Sequence, residues 1–207
     1  AEQLKGYLET NNNGTISKVE VAGPGFLNIS LADSVFGDVL QAANAKDFGR
    51  NQLFKDQVVV AEYSDPNPFK ELHAGHLYTS VVGDAIASLV EAAGAKVHRV
   101  NFGGDVGRHV AMAMWGIITE LGGENPGALD KVAKDKRANW LAKAYVAGNQ
   151  AFEDDPAAKN QIMAYNKQIY QLQADDDRTT PFAKIYWVCR QWSYDYFDAF
   201  YARLGTS

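Results

Sequence analysis

Within this chain of 207 residues, the side chains best suited to chemistry are the two imidazoles of His73-Ala74-Gly75-His76. At spacing i, i+3 they project the same way from the first turn of a helix. A helix start carries unpaired N–H groups and a partial positive charge, both suited to phosphate. Imidazole N–H donors placed there can stabilise charge that builds on phosphate oxygens in a transition state. Gly75 lets a flat ring approach the backbone closely. Two other readings stand beside this one. Zinc-binding helices space their histidines at i, i+4 and supply a third ligand, and no third ligand stands nearby in sequence. The plainer reading is two polar residues that cap a helix. A further metal candidate, Asp175-Asp176-Asp177, is weaker, because adjacent carboxylates splay apart; it reads as a solvated loop with capping carboxylates.

The elements that must hold the imidazoles are legible on either side. The apolar run Val58 to Ala61 has the length and β-branched content of a buried strand. Ser64-Asp65-Pro66-Asn67-Pro68 carries two prolines and cannot be regular structure. A long amphipathic helix is expected after the histidines, with Leu77, Val81, Ala85 and Leu89 as one apolar ridge and Val82, Ile86 and Val90 as the next, stopping at Gly94. Lys96 to Phe102 reads as a second strand leading into Gly103-Gly104-Asp105-Val106-Gly107. Strand, helix, strand with these loop lengths implies a right-handed βαβ unit and a parallel sheet. His-x-Gly-His then lies at the carboxyl end of the first strand, the usual ligand crevice of open α/β sheets.

The string E-Y-S-D-P-N-P-F-K-E-L-H-A-G-H-L from Glu62 to Leu77, G-D-A from Gly83 to Ala85 and N-F-G-G-D-V-G from Asn101 to Gly107 closely resemble the arginyl-tRNA synthetase family of class I synthetases. Upstream, V-E-V-A-G-P-G-F-L-N-I, Val19 to Ile29, looks like the end of that family's N-terminal accessory domain. The resemblance implies an α/β fold: the first half of a Rossmann-like parallel sheet of the H-x-G-H nucleotidyltransferase type with a helical insertion. The remnant of a small α+β accessory domain, associated in the family with tRNA binding, would precede it. It implies ATP-dependent activation of L-arginine and transfer to tRNA(Arg), with Mg2+ accompanying ATP and no tightly bound, protein-ligated metal. Matched position by position, His73, Gly75 and His76 would bind ATP, with His73, His76 and Lys70 as catalytic groups and Lys70 near the triphosphate. Glu62, Ser64, Asp65, Asn67, His76 and Asp105 would contact arginine, and Gly104 with Asp105 would shape the pocket floor. The motif as a whole spans Pro66 to His76. Asp65 stands where the family usually has Ser or Ala, and Pro68-Phe69 replace a small apolar pair.

Composition sets wider bounds. Hydrophobic content of 46% and charged content of 22% are those of an ordinary globular protein. No apolar run approaches 18 residues and the N-terminus lacks a signal-peptide pattern, so no membrane partner is expected. A single cysteine, Cys189, excludes an internal disulfide and fits a reducing compartment, here the cytoplasm. The net charge of −5 argues against a generally basic nucleic-acid binder and against DNA as a partner, while leaving room for local tRNA contacts.

Residues 1–57 read as the first domain, with strands at Ile16 to Ala22 and Phe26 to Leu31 around Gly23-Pro24-Gly25 and a helix over Ser30 to Ala43. Residues 58–207 read as the first part of the catalytic domain. Helices are expected over Val106 to Leu121, over Pro126 to Gly148 with Lys131, Lys134, Lys136, Arg137 and Lys143 exposed, over Asp155 to Gln173, and over Pro181 to Leu204. The last is aromatic on nearly every face and is expected to be core. No Lys-Met-Ser-Lys-type loop, second half-sheet or anticodon-binding domain is present. The expectation is therefore a synthetase truncated at both ends and inactive alone. The alternatives are a truncated paralogue serving as a tRNA- or protein-binding module, or another H-x-G-H nucleotidyltransferase.

Overall fold

A computed structural model describes residues 1–206. The chain divides into two compact units, Ala1–Gln52 and the remainder from Leu53. In the first unit, helix α1 (Glu2–Thr10) precedes an antiparallel hairpin of β1 (Ile16–Ala22) and β2 (Phe26–Leu31). The turn needs Gly23 and Gly25 because both adopt positive φ, open to glycine without a Cβ clash. Helix α2 (Asp33–Ala43) starts three residues later than the expected Ser30, since β2 keeps Ser30 and Leu31 in the ladder.

In the second unit, β3 (Val58–Glu62), α3 (Ala74–Ala92) and β4 (Lys96–Val100) form the βαβ crossover, and the strands pair in parallel from Val58↔Lys96 to Glu62↔Val100. The segment 53–57 already belongs here: Phe54 N–H donates to the Ala93 carbonyl at 2.8 Å, and Lys96 N–H to the Gln57 carbonyl at 2.9 Å. Two sequence expectations fail at this sheet. The run Val58 to Ala61 is not a strand buried on both faces, for Val58 is 67% and Val60 65% exposed. With two strands and one helix, only the face carrying Val59, Ala61 and Val97 is covered. Nor does α3 pack through its two apolar ridges: Leu77, Val81, Ile86 and Leu89 are exposed, while Ser80 and Ala87 are buried. The helix settles on its small residues because they let it come close. A Cβ on Gly83 would stand 2.3 Å from the Tyr63 side chain.

The core is helical. It is built from α4 (Arg108–Glu120), α5 (Arg137–Asp154), α6 (Pro156–Ala174) and α7 (Pro181–Leu204). The single helix expected over Pro126 to Gly148 is instead two short 3₁₀ turns, Pro126–Lys131 and Lys134–Lys136, followed by α5. Arg137 is not one of an exposed basic row. Its guanidinium lies 4.2 Å from the Trp192 ring centroid. Helices α6 and α7 start cleanly because Asp155 and Thr180 accept from Ala157 and Ala183 N–H groups and each helix opens on proline, as unpaired first-turn donors require. Along α7, Phe182, Ile185, Tyr186, Cys189, Trp192 and Phe197 form the buried stripe. Elements of this same chain cover that stripe, and the remaining aromatics are half-buried. The Asp177 carboxylate accepts from the Thr179 N–H and the Thr179 and Thr180 hydroxyls. These bonds hold it down at about 2, so the acidic run is a capping loop.

Candidate active site

His73 is the N-cap of α3, and the two imidazoles close a reciprocal cap. Gly75 N–H donates to His73 Nδ1 at 3.1 Å, and His73 N–H donates to His76 Nδ1 at 3.2 Å. The plain capping reading is thus realised in the geometry, and it carries a chemical consequence. A ring nitrogen that accepts from an amide is unprotonated, so the neutral imidazole holds its proton on the other nitrogen. Both Nε2–H groups are left as donors, and neither has a hydrogen-bond partner among the described residues. The rings lie 4.0 Å apart, centroid to centroid. Burial lowers the pKa of His76, with the nearby charges of His73 and Lys70 acting in the same sense. His76 is therefore neutral at neutral pH.

The loop before the histidines is held in an unusual backbone. Ser64, Asp65 and Phe69 all have positive φ, 75°, 46° and 65°, a region costing a non-glycine residue on the order of 1 kcal/mol or more. Each is tied down. Ser64 Oγ lies 2.9 Å from Tyr201 Oη and 2.8 Å from Ser80 Oγ, and Ser80 Oγ lies 2.7 Å from the His76 carbonyl oxygen. The Asp65 carboxylate accepts from Phe102 N–H at 2.7 Å, bridging the ends of the two strands. Phe69 N–H donates to Ser193 Oγ at 2.9 Å, and its ring is fully buried beside Tyr186.

The sequence-derived site residues fall into two groups. Glu62 ends β3 exposed, its carboxylate without a hydrogen bond or ion pair among the described residues. Asn67 leans over Gly104, where a Cβ would stand 2.5 Å from Asn67 Oδ1, so the glycine is what lets the two motif loops meet. Lys70 rests its ammonium 4.2 Å from the Tyr145 ring centroid. None of these three polar groups makes a side-chain hydrogen bond or ion pair among the described residues. Ser64, Asp65 and Asp105 are already engaged. Asp105 Oδ2 accepts from Arg190 Nε at 2.6 Å, and its backbone carbonyl accepts from the Tyr186 hydroxyl at 2.9 Å.

Sequence reasoning missed Ser80, His109, Ser193 and Tyr201. His109 Nε2 lies 2.7 Å from the Gly104 carbonyl oxygen and so holds the pocket floor. Its place two residues beyond the glycine turn was the only signal. Burial lowers its pKa, against the opposing Gly104 bond and with Lys70 nearby. An imidazole whose pKa is lower folded than unfolded gives stability that is present above the unfolded value of about 6.5 and is lost as pH falls through the folded value. His76 and His109 both act in this sense. Thermal melts are expected to show a falling Tm from pH 7.5 to 5.5, with a shallower slope in His109→Gln. An unchanged slope would dismiss His109 as a contributor.

A parallel βαβ crossover with His-x-Gly-His at its helix start and a glycine turn after the next strand matches the catalytic fold of the class I aminoacyl-tRNA synthetases. The family "tRNA synthetases class I (R), catalytic domain" matches residues 38–207, and "Arginyl tRNA synthetase N terminal domain" matches residues 1–31. This chain belongs to the arginyl-tRNA synthetase family. It is 33% identical over 197 residues to an arginine–tRNA ligase of Saccharophagus degradans, covering 94% of this chain and 32% of that protein. It is 40% identical over 131 residues to one of Escherichia coli, covering 63% and 22% respectively. The structure of Thermus thermophilus arginyl-tRNA synthetase superposes with a TM-score of 0.59 at 24% identity, over 92% of this chain and 29% of that one. The Plasmodium falciparum arginyl-tRNA synthetase gives 0.60 at 20% identity, over 99% and 34%. These two likenesses bear on the fold. The chain spans about a third of the length of the first curated relatives it matches.

Proposed function

We propose that this chain supplies the ATP- and arginine-binding half of an arginine–tRNA ligase. The whole protein would join L-arginine to AMP and then pass the arginyl group to tRNA(Arg), in the cytoplasm. The observation that carries the reading is the reciprocal imidazole cap, which leaves two Nε2–H donors at the start of α3. In the first step an arginine carboxylate oxygen forms a bond to the α-phosphorus of ATP as the bond to pyrophosphate breaks. Charge grows on the equatorial phosphate oxygens, and catalysis rests on positioning and electrostatic stabilisation.

His73 and His76 donate to those oxygens through their Nε2–H groups, with no proton transfer required. Lys70, close enough to lower the His76 pKa, brings positive charge to the triphosphate. The free Glu62 carboxylate pairs with a cationic group of arginine, the chemistry best matched to guanidinium. Asn67 holds the amino acid's backbone groups. Asp105, neutralised by Arg190, shapes the glycine turn rather than meeting the substrate, and Ser64 and Asp65 hold the loop. Magnesium would accompany the triphosphate as part of the substrate.

The test is a thermal-shift titration of the whole protein with non-hydrolysable arginyl-, cysteinyl- and glutamyl-adenylate analogues. A ligand of the native state at 100 times its Kd adds about 2.7 kcal/mol. Selective stabilisation by the arginyl analogue is expected, and equal or absent shifts with all of them would overturn the assignment.

A further inference from the structure

We infer that α7 fixes the conformation of the signature loop and that Tyr201 and Ser193 are positioning residues for adenylate formation, an inference that rests on the function proposed above. Three non-glycine residues of one short loop, Ser64, Asp65 and Phe69, sit in left-handed backbone. Such a loop keeps its shape only where its surroundings over-determine it. Two of the three ties come from α7. Ser193 Oγ, itself buried, takes the Phe69 N–H at 2.9 Å, and about two helical turns on Tyr201 Oη meets Ser64 Oγ at 2.9 Å.

The second tie continues to the chemistry. Each hydroxyl has one proton and a carbonyl can only accept. The consistent direction therefore runs from Tyr201 to Ser64, from Ser64 to Ser80, and from Ser80 to the His76 carbonyl. The C-terminal end of α7 thus grips Ser64, just beyond the end of β3, and the first turn of α3 at once. Beside it, the Thr206 hydroxyl donates to the Asp84 carboxylate at 2.8 Å and lies 2.7 Å from Tyr63 Oη. Glu62, Asn67 and His76 are therefore held in one frame by a helix that contributes none of them. Freed from α7, Ser64 and Phe69 relax toward ordinary backbone, and the ligand-competent loop becomes a minor population. A ligand that needs the competent loop then binds more weakly by the fraction lost.

The test uses the whole protein, unaltered and as Tyr201→Phe and Ser193→Ala. In Tyr201→Phe, the loop amides between residues 64 and 70 are expected to exchange at least tenfold faster, with those of α4 unchanged. Binding of α,β-methylene-ATP alone is expected to weaken about fivefold, the worth of one neutral hydrogen bond. That deficit is expected to shrink below twofold in saturating arginine, which orders the loop by itself. A generally destabilised fold would not show this dependence on the second ligand. Unchanged loop exchange, or a binding loss that is the same with and without arginine, overturns the inference. Should Ser193→Ala fail to fold, Tyr201→Phe, which deletes one oxygen from a half-buried ring, decides alone. If the unaltered protein binds neither ligand, the proposed function fails. Loop exchange in Tyr201→Phe then still decides whether α7 holds the loop, and no change there overturns that as well.

Discussion

Alanine in place of His76 is expected to slow arginine-dependent ATP–pyrophosphate exchange in the whole protein by about 10²–10³-fold, the usual loss when one donor to a developing oxyanion is removed. The Kd for arginine is expected to change by less than about threefold, because the lost Nε2–H serves charge that exists only in the transition state. His76→Ala also deletes the acceptor for the His73 N–H, and loss of a helix cap destabilises by about 1 kcal/mol. His76→Asn separates the two effects. Its Oδ1 takes the place of Nδ1 in the cap, but no donor extends to where Nε2 stood. The asparagine variant should therefore melt like the parent and still lose the rate. Equal losses in rate and arginine affinity would reduce His76 to a binding group, and an unchanged rate would remove it from the mechanism.

The site and the elements that carry it were legible to different depths. His73-x-x-His76 could be placed because a proline-broken loop and a glycine turn bracket a strand–helix–strand pattern, and punctuation of that kind acts locally. The bounds of β1 and β2 and the start of α7 at Pro181 were legible for the same reason. The packing face of α3 was not. Hydrophobic periodicity points to Leu77, Val81 and Leu89, whereas close approach selects Ser80, Gly83 and Ala87, and fit between backbones leaves no trace in hydropathy. Phe69 read as half of a replacement for a small apolar pair, and it is a core residue. Its partner Ser193 lies 124 positions away, a separation that no local pattern encodes. Ser64 and Asp65 read as ligand contacts through the resemblance, and the structure shows their side chains bonded to Tyr201, Ser80 and Phe102. Glu62, by contrast, ends β3 exposed, with no hydrogen bond or ion pair among the described residues.

Alanine at Gly148 is expected to be the most damaging single-methyl change in the helical core. Helices α4 and α5 cross at a reciprocal pair of glycines. A Cβ on Gly148 would stand 1.9 Å from the Met112 carbonyl oxygen, and one on Gly116 would stand 2.0 Å from that of Ala144. Each glycine thus meets the backbone four residues from its counterpart, and backbone cannot rotate away as a side chain can. Overpacking in a well-filled core costs about 1–3 kcal/mol even where side chains can give. Here the helices themselves must separate and loosen Met112, Leu141 and Ile117 around them, so a loss of about 3 kcal/mol or more is expected. At about 2–4 °C per kcal/mol for a chain of this size, Tm should fall by roughly 6–12 °C. Gly37 in α2, with nothing within 4 Å of its notional Cβ, gives the contrast: alanine there should be neutral or stabilise by up to about 1 kcal/mol through helix propensity. A Gly148→Ala protein that melts with the parent would mean that α4 and α5 do not touch backbone to backbone. The helical core would then need a different packing, and the floor on which Phe69 and the signature loop rest would need one with it.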